Sequence, residues 1–198
     1  MKKLLATSII LAAALTSNAS AVDRSFPYWY LGLSGGPALQ QDSDVSDSSH
    51  DIKWDTGYSV SASIGYQPPA LQGFRVEAEI AQHKQDISNG SGAGRADTLA
   101  GNLYYDFYNS SKFTPYIGGG LGYGRFNLSN TNPLGNNGTN SRALYQGMAG
   151  IGYDPDSIPN VGFTLGYRYM APFSDPHIQG SDFEYSNHSV ELGAKFRF

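Results

Sequence analysis

The stretch GYSVSASIGY, residues 57–66, alternates without a break between two kinds of side chain. Glycine and serine occupy its odd positions, and the even positions carry apolar or aromatic residues: Tyr58, Val60, Ala62, Ile64 and Tyr66. Successive side chains of a β-strand point to opposite faces, so this period of two predicts a strand with one apolar face. The 3.6-residue period of a helix does not fit.

Seven further stretches have the same period. With the first they make eight candidate strands, and all except residues 29–34 are near the roughly 9–11 residues that a tilted strand needs to cross a bilayer. The candidates are residues 29–34, 57–66, 74–83, 98–107, 114–124, 145–153, 161–169 and 188–198.

The pattern favours a membrane barrel over a soluble β-sandwich or lipocalin. A soluble core is rarely matched so uniformly by glycine, serine, glutamate and arginine on the opposite face. Closing the sheet pairs every backbone polar group, as the bilayer interior requires. The mean hydropathy of −0.35 is compatible with this fold, because lipid-facing and lumen-facing residues cancel in an average.

Connection lengths suggest how the strands are arranged. Long and short connections alternate, as expected for outer loops and periplasmic turns of an all-β, eight-stranded antiparallel transmembrane β-barrel. The long connections are residues 40–54, 85–94, 127–141 and 171–184, and the shorter ones are 67–73, 109–112 and 154–160.

Aromatic residues gather at both ends of the apolar stripes. Amphipathic rings prefer the headgroup level of a bilayer, so we expect two girdles. The girdle near the turns and chain ends comprises Trp29, Tyr66, Phe74, Tyr105, Phe107, Phe113, Tyr153, Phe163, Phe196 and Phe198. The girdle at the opposite rim comprises Tyr58, Tyr123, Tyr145, Tyr167 and Tyr169.

The first 21 residues have the three parts of a secretory signal peptide. Residues 2–3 are basic, residues 4–15 are apolar, and Ala19 and Ala21 belong to a small-residue cleavage site. The apolar run is too short for a membrane-crossing helix, although a short N-terminal anchor is the alternative. We expect cleavage after Ala21, which leaves residues 22–198 as one outer-membrane barrel domain.

Composition excludes several classes of function. Without the two leader lysines, 11 basic residues face 17 acidic ones, a formal charge of about −6, and no basic stripe or tail offers a surface to nucleic acid. Cysteine is absent, so disulfides and thiolate metal sites are excluded. We expect no cofactor and no nucleic-acid partner.

Charged residues opposite the apolar stripes would point into the barrel. An unpaired buried charge is costly, so these residues should form a lumen ion-pair network. Strand three lies opposite strand seven in a ring of eight, which makes Glu79 or Glu77 the expected partner of Arg168. Glu191 should also lie near a basic group. The predicted network comprises Arg75, Arg168, Lys195 and Arg197 with Glu77, Glu79, Asp106 and Glu191.

The balance of interior charges favours a plug over a pore. Eight strands enclose a space that side chains can fill, whereas selective pores are lined by rings of one sign. Inward glycines work against a complete seal, and we expect water between the ion pairs. These glycines are Gly57, Gly65, Gly118, Gly120, Gly122 and Gly166.

Four segments stand out as motifs: FPYWYLGLSGG (26–36), TPYIGGGLGYG (114–124), GYRYM (166–170) and SVELGAKFRF (189–198). Together with the signal peptide they resemble the OmpA-like and opacity-protein small outer-membrane barrels of Gram-negative bacteria. The resemblance implies contact with outer-membrane lipid and lipopolysaccharide, and insertion by the barrel-assembly machinery. It also implies that the machinery reads a terminal signal, which maps here to Leu192, Ala194, Phe196 and Phe198.

Candidate catalytic and metal-binding residues are sparse. Of the histidines, His50, His83, His177 and His188, the last adjoins Ser189 and so faces the opposite side of its strand. No serine is spaced to pair with His83. A first-loop cluster could bind Ca²⁺ or bridge to lipopolysaccharide, but the calcium-loop pattern is missing and a plain acidic loop is the simpler interpretation. The cluster is Asp42, Asp44, Asp47 and Asp51.

These features predict a non-enzymatic surface protein, structural or adhesive, whose barrel anchors four exposed loops. Loops on a rigid scaffold are where binding residues usually lie, so host surface molecules are the expected partners. A small porin-like channel is the alternative. A lipid-modifying enzyme is the third possibility, disfavoured because no nucleophile and base converge.

Overall fold

The computed structural model describes residues 28–40, 56–86, 93–129, 138–158, 160–174, 177–178, 181–182 and 186–198. Within these ranges the chain forms ten strands. They are β1 (Tyr28–Gln40), β2 (Gly57–Gln67), β3 (Phe74–Asp86), β4 (Ala93–Asp106), β5 (Phe113–Ser129), β6 (Gly138–Tyr153), β7 (Val161–Pro172), β8 (His177–Ile178), β9 (Ser181–Asp182) and β10 (Asn187–Arg197).

Eight of these strands close into one antiparallel barrel. The order around the ring is β1-β10-β7-β6-β5-β4-β3-β2, and β8 pairs only with β9. Chain neighbours pair throughout, and β1 meets β10 at the seam. At that seam the amide of Phe198 donates to the Trp29 carbonyl at 2.9 Å. The predicted eight-stranded antiparallel barrel is confirmed.

The strands at the extracellular end are longer than their apolar pattern. β3 and β4 leave only residues 87–92 between them, and β5 and β6 leave only 130–137. The expected long connections 85–94 and 127–141 were therefore too long. The alternating pattern marks only the part of a strand that contacts lipid, whereas backbone hydrogen bonding between the strands continues beyond it.

The period of two places apolar side chains outside and polar side chains inside. Leu33 and Leu192 are 68% and 69% exposed, whereas Arg75 and Glu79 are 2% and 3% exposed. A water-soluble protein has the reverse arrangement. The outer face therefore has the character of a surface that contacts lipid.

Aromatic pairs lie at both rims of this apolar face. Near the turns, the ring centroids of Trp29 and Tyr66 are 4.9 Å apart. At the other rim, Tyr169 lies 5.1 Å from His188. Such amphipathic rings suit the two headgroup levels. Among the described residues, no helix has the length and apolar character needed to cross a membrane.

The short turns contact one another at the periplasmic end. Gly73 adopts φ +87°, which glycine tolerates best, and its carbonyl accepts from the amide of Asp106 at 2.7 Å. Lys112 Nζ lies 2.5 Å from Asp156 Oδ2. That hydrogen bond raises the pKa of Lys112. These contacts join the turns into one rim.

Candidate functional site in the barrel interior

An ion pair crosses the centre of the barrel. Arg168 on β7 faces Glu79 on β3, four strands away in either direction around the ring. Arg168 Nη1 and Nη2 donate to Glu79 Oε1 and Oε2 at 2.6 and 2.7 Å. Gln146 accepts from Arg168 at 3.0 Å and donates to Glu79 at 3.2 Å. Of the two carboxylates expected to meet Arg168, Glu79 is the one that does.

The second carboxylate at this level is Glu191. Arg168 Nη2 donates to its Oε2 at 3.1 Å. The hydroxyl groups of Ser59 and Ser189 each donate to Oε1 at 2.8 Å, and that of Ser34 donates to Oε2 at 3.0 Å. The serines that alternate with apolar residues along β1, β2 and β10 thus complete the hydrogen bonding of a buried carboxylate.

A second cluster fills the periplasmic part of the interior. Arg75 Nε lies 3.1 and 3.0 Å from the two carboxylate oxygens of Asp106. The guanidinium lies 3.9 Å from the centroid of the Tyr104 ring. Tyr30 accepts from Arg75 at 3.0 Å and donates to Glu77 at 2.7 Å. Cation, ring and carboxylate are packed together here.

The two remaining cations of the predicted network behave differently. Arg197 forms a salt bridge with Asp154 of the β6–β7 turn. The sequence pattern places Asp154 in this turn and does not indicate that its side chain meets an interior cation. Lys195 has no carboxylate within 4.0 Å in the part of the chain that the structure describes. Its ammonium instead lies 5.5 and 5.6 Å from the ring centroids of Tyr30 and Tyr116. The expected pairing of Lys195 is therefore not seen among these residues.

Two small cavities lie in the interior formed by the described residues. The central one, about 60 Å³, is bordered by Glu79, Arg168 and Glu191. The periplasmic one, about 30 Å³, is bordered by Asp106, Asp154 and Arg197. Both are large enough for only a few water molecules. Four side chains border both cavities: Arg75, Tyr116, Thr164 and Lys195.

Tyrosine side chains occupy the space beside three of the inward glycines. Tyr30 lies opposite Gly65 across β1 and β2, and a Cβ at Gly65 would collide with the Tyr30 ring. Tyr104 occupies the corresponding space at Gly118, and the Tyr116 hydroxyl does so at Gly166. Neighbouring side chains therefore fill much of the room that the glycines were expected to leave open. The alternating pattern showed these tyrosines as inward-facing but did not show what they cover.

Hydrogen bonding is less complete towards the extracellular end. Both ring nitrogens of His83 and both amide atoms of Asn187 are buried and have no hydrogen-bond partner among the residues that the structure describes. The β2–β3 register puts Ser59 directly opposite His83, a neighbour that the spacing along the sequence did not indicate. The two are not hydrogen-bonded, since the Ser59 hydroxyl donates to Glu191.

The outer-facing candidates are separate from this interior. His188 lies outside, with Nδ1 2.5 Å from the Tyr167 hydroxyl, and Ser189 is buried inside as expected. Three residues of the predicted assembly signal are well exposed: Leu192, Phe196 and Phe198 at 69%, 51% and 64%. The fourth, Ala194, is exposed on the same face.

Several predicted features lie outside the described residues. They are the signal peptide with its cleavage site at Ala21, His50, and the loop residues Asp42, Asp44, Asp47 and Asp51. Among the described residues, no group of three or more potential metal ligands is found.

A closed barrel with an apolar exterior and an ion-paired interior matches a known protein family. The family model described as outer membrane protein beta-barrel domain covers residues 8–198. The chain belongs to this family. The outer membrane barrel is 29% identical over 208 residues to an outer membrane protein of Gluconacetobacter diazotrophicus, an alignment covering 87% of this chain and 53% of that protein. The chain thus spans about half the length of this relative.

Solved outer membrane barrels share the architecture. Neisserial surface protein A superposes with a TM-score of 0.63 at 18% identity, covering 86% of this chain and 97% of that one. Ail, the attachment invasion locus protein of Yersinia pestis, solved with the heparin analogue sucrose octasulfate, gives 0.51 at 18% identity, covering 86% and 99%. These likenesses concern the fold. Together with the family assignment, they place this outer membrane barrel in the bacterial outer membrane.

Proposed function

We propose that this chain is a non-enzymatic surface protein that uses a plugged barrel to hold its extracellular connections for adhesive contact. The observation that carries the proposal is the bidentate contact of Arg168 with Glu79 across the ring. A side-chain bridge through the centre gives a small barrel rigidity and obstructs a solute path. The mixed charge of the interior also differs from the single-sign rings of selective pores.

The connections at the end opposite the turns are the proposed contact surface. They join β1 to β2, β3 to β4, β5 to β6 and β7 to β10. Segments held on a rigid scaffold are favoured positions for binding residues. Host surface molecules or neighbouring cells are the proposed partners. Ail, an attachment protein by name, is built on the same fold, although at 18% identity this is a likeness of architecture.

Replacement of two connections tests the proposal. Residues 41–55 and 130–137 are each exchanged for a glycine–serine linker of equal length, and cells displaying the variants are applied to host cells or extracellular matrix. We expect adhesion to fall to the level of cells without the protein. The matched control exchanges residues 155–158 in a periplasmic turn and should leave adhesion unchanged. Full adhesion by both loop variants, with surface display verified, would contradict the proposal.

The non-enzymatic part of the proposal rests on the interior serine and histidine. Ser59 and His83 are only 1% and 2% exposed, and the serine hydroxyl is bound to Glu191 instead of the imidazole. A nucleophile needs its base within hydrogen-bond reach and a route for substrate. Incubation with labelled lipopolysaccharide should return it intact, and a deacylated product would contradict this.

A small channel is the second candidate, favoured by the two interior cavities, each bordered by both apolar and charged side chains. Four side chains border both cavities: Arg75, Tyr116, Thr164 and Lys195. Conduction would require the three longest of them, Arg75, Tyr116 and Lys195, to move aside together.

The terminal residues are proposed as a signal for the barrel-assembly machinery. Phe196 and Phe198 are exposed on the lipid-facing side, and the Phe198 backbone forms hydrogen bonds with Trp29 of β1. Deletion of Phe198 should lower the share of protein recovered folded in the outer membrane several-fold. Phe198→Tyr, which keeps a terminal aromatic ring, is the control. If the deletion variant is recovered as fully as the wild type, Phe198 is not part of the signal.

A further inference from the structure

Four side chains border both interior cavities, and each of them can donate a hydrogen bond. They are Arg75, Tyr116, Thr164 and Lys195. Two are cations and two carry hydroxyl groups, whereas no carboxylate among the described residues borders both cavities. We call these four residues the donor cluster. Hydrogen-bond donors that include full positive charges are the groups that proteins use to bind anions.

The donor cluster surrounds the barrel axis towards its periplasmic end. Arg75 lies on β3, Tyr116 on β5, Thr164 on β7 and Lys195 on β10, so the four come from different parts of the ring. Arg75 is the second residue of β3, and Tyr116 and Thr164 are the fourth residues of β5 and β7. The interior of an eight-stranded barrel is narrow, so inward side chains from these strands approach one another.

The two cations of the donor cluster gather around the same tyrosines. The guanidinium carbon of Arg75 lies 5.9 and 5.3 Å from the ring centroids of Tyr30 and Tyr116. The ammonium of Lys195 lies 5.5 and 5.6 Å from the same two centroids. Aromatic faces attract cations, but two cations around one pair of rings repel each other. A negative charge between them removes this repulsion.

The periplasmic cavity has one positive charge in excess on its border. The charged residues there are Arg75, Lys195 and Arg197 with Asp106 and Asp154. Arg75 Nε lies 3.0 Å from Asp106 Oδ2, and Arg197 forms a salt bridge with Asp154. Each carboxylate therefore has an arginine, and Lys195 is the cation that remains. A buried charge without a counterion is costly, so this cavity favours a ligand with one negative charge.

The carboxylates on the other side of the donor cluster have partners of their own. Glu79 and Glu191 both bind Arg168. Glu77 lies 3.7 Å from Arg75 and accepts hydrogen bonds from two tyrosine hydroxyl groups. These three carboxylates border the central cavity, where they would repel an anion. The periplasmic cavity is therefore the side on which an anion is stabilised.

The size of the periplasmic cavity restricts the ligand. Its volume is about 30 Å³, which suits an occupant comparable to one or a few water molecules. A halide ion is monatomic and carries one negative charge, whereas phosphate, sulfate and organic carboxylates are larger. Tyr116 and Thr164 border this cavity, and their hydroxyl groups can donate to such an ion.

We propose that the donor cluster binds one chloride ion in the periplasmic part of the barrel interior. Lys195 supplies the balancing charge, and Arg75 adds a second cation nearby. Tyr116 and Thr164 donate hydrogen bonds from their hydroxyl groups. The bound ion neutralises the excess charge and joins β3, β5, β7 and β10 through one common contact. The adhesive role of the extracellular connections does not depend on this site.

The unfolding temperature of the purified protein in detergent micelles tests the site. Sodium chloride is compared with sodium gluconate at equal ionic strength, because the two salts screen charges alike but gluconate is too large for the cavity. We expect the unfolding temperature of the wild type to rise with chloride concentration, as for any ligand that binds only the folded state. Sodium bromide should act like sodium chloride.

Three variants locate the effect on the donor cluster. Lys195→Met removes the balancing charge and should weaken chloride binding at least about tenfold. Tyr116→Phe keeps the ring, removes only the hydroxyl group and should weaken binding several-fold. Lys112→Met removes a cation at the periplasmic rim, outside the cavity, and should respond to chloride like the wild type.

Crystals grown in sodium bromide locate the ion without any variant. The anomalous scattering of bromide should give a peak within hydrogen-bonding distance of Lys195 Nζ and the Tyr116 hydroxyl group. Equal unfolding temperatures in chloride and gluconate, or no bromide peak in the periplasmic cavity, would overturn the proposal. An undiminished chloride response in folded Lys195→Met would do the same. If that variant does not fold, Tyr116→Phe takes its place in the comparison.

Discussion

Replacing Arg168 by methionine is expected to lower the free energy of unfolding by about 3–5 kcal/mol. Methionine approximates the length of the side chain but removes the charge, which leaves Glu79 and Glu191 buried at 3% and 8% exposure with no cation between them. Serine hydroxyl groups still serve Glu191, so Glu79 bears most of the loss. Urea-induced unfolding of the protein in phospholipid vesicles measures the change.

Lys195→Met is the matched control for this prediction. The two cations both point into the interior, but Lys195 contacts tyrosine rings instead of a carboxylate. Its removal loses cation–π contacts worth about 0.5–2 kcal/mol, but it also removes a buried cation that has no carboxylate within 4.0 Å among the described residues. We therefore expect a smaller change in the free energy of unfolding than for Arg168→Met. Adding Glu79→Gln to Arg168→Met should recover part of the stability. Equal losses for Arg168→Met and Lys195→Met would show that the bridge across the ring does not stabilise the fold.

Replacing the lipid-facing Leu165 by arginine is expected to cost about 2–4 kcal/mol. Leu165 is the fifth residue of β7, lies between Ile151 and Leu192 on the neighbouring strands, and is 48% exposed on the outer face. At that depth a charged side chain must be taken into hydrocarbon or bend towards an interface. The same vesicle unfolding measurement applies.

The control is a leucine on the same outer face but at a different depth in the bilayer. Leu39 is 57% exposed near the extracellular end of β1, where arginine can reach the headgroups, so Leu39→Arg should cost about 0–1 kcal/mol. A water-soluble protein would bury this apolar face in its core. The cost of introducing arginine would then not depend on the position of the leucine along the strand. Similar losses in the free energy of unfolding for Leu165→Arg and Leu39→Arg would contradict the claim that a bilayer surrounds the apolar outer face.

The membrane barrel was predictable because the period-two alternation can be recognised within the sequence of each strand by itself. The Arg168–Glu79 bridge was predictable because ring geometry puts β3 opposite β7 once eight antiparallel strands are assumed. Both inferences use only side-chain direction and strand count.

Features that depend on register were not predictable. The placement of Tyr30 over Gly65 and of Ser59 opposite His83 requires the pairing of β2 with its neighbours to be known to the residue. A shift of one residue reverses every side chain of a strand. The partner of Arg197 was missed for a related reason, because Asp154 immediately follows β6 and its direction is set by the turn.

The central claim, a membrane barrel whose interior is closed by its own side chains, is tested most directly by electrical recording. The purified protein, folded and inserted into a planar bilayer, should give no steady single-channel conductance above the protein-free bilayer. Arg168→Lys, which keeps the charge, should be equally silent. Regular conductance steps from the wild type that change in size with Glu79→Gln would contradict the account and identify the interior as an ion path.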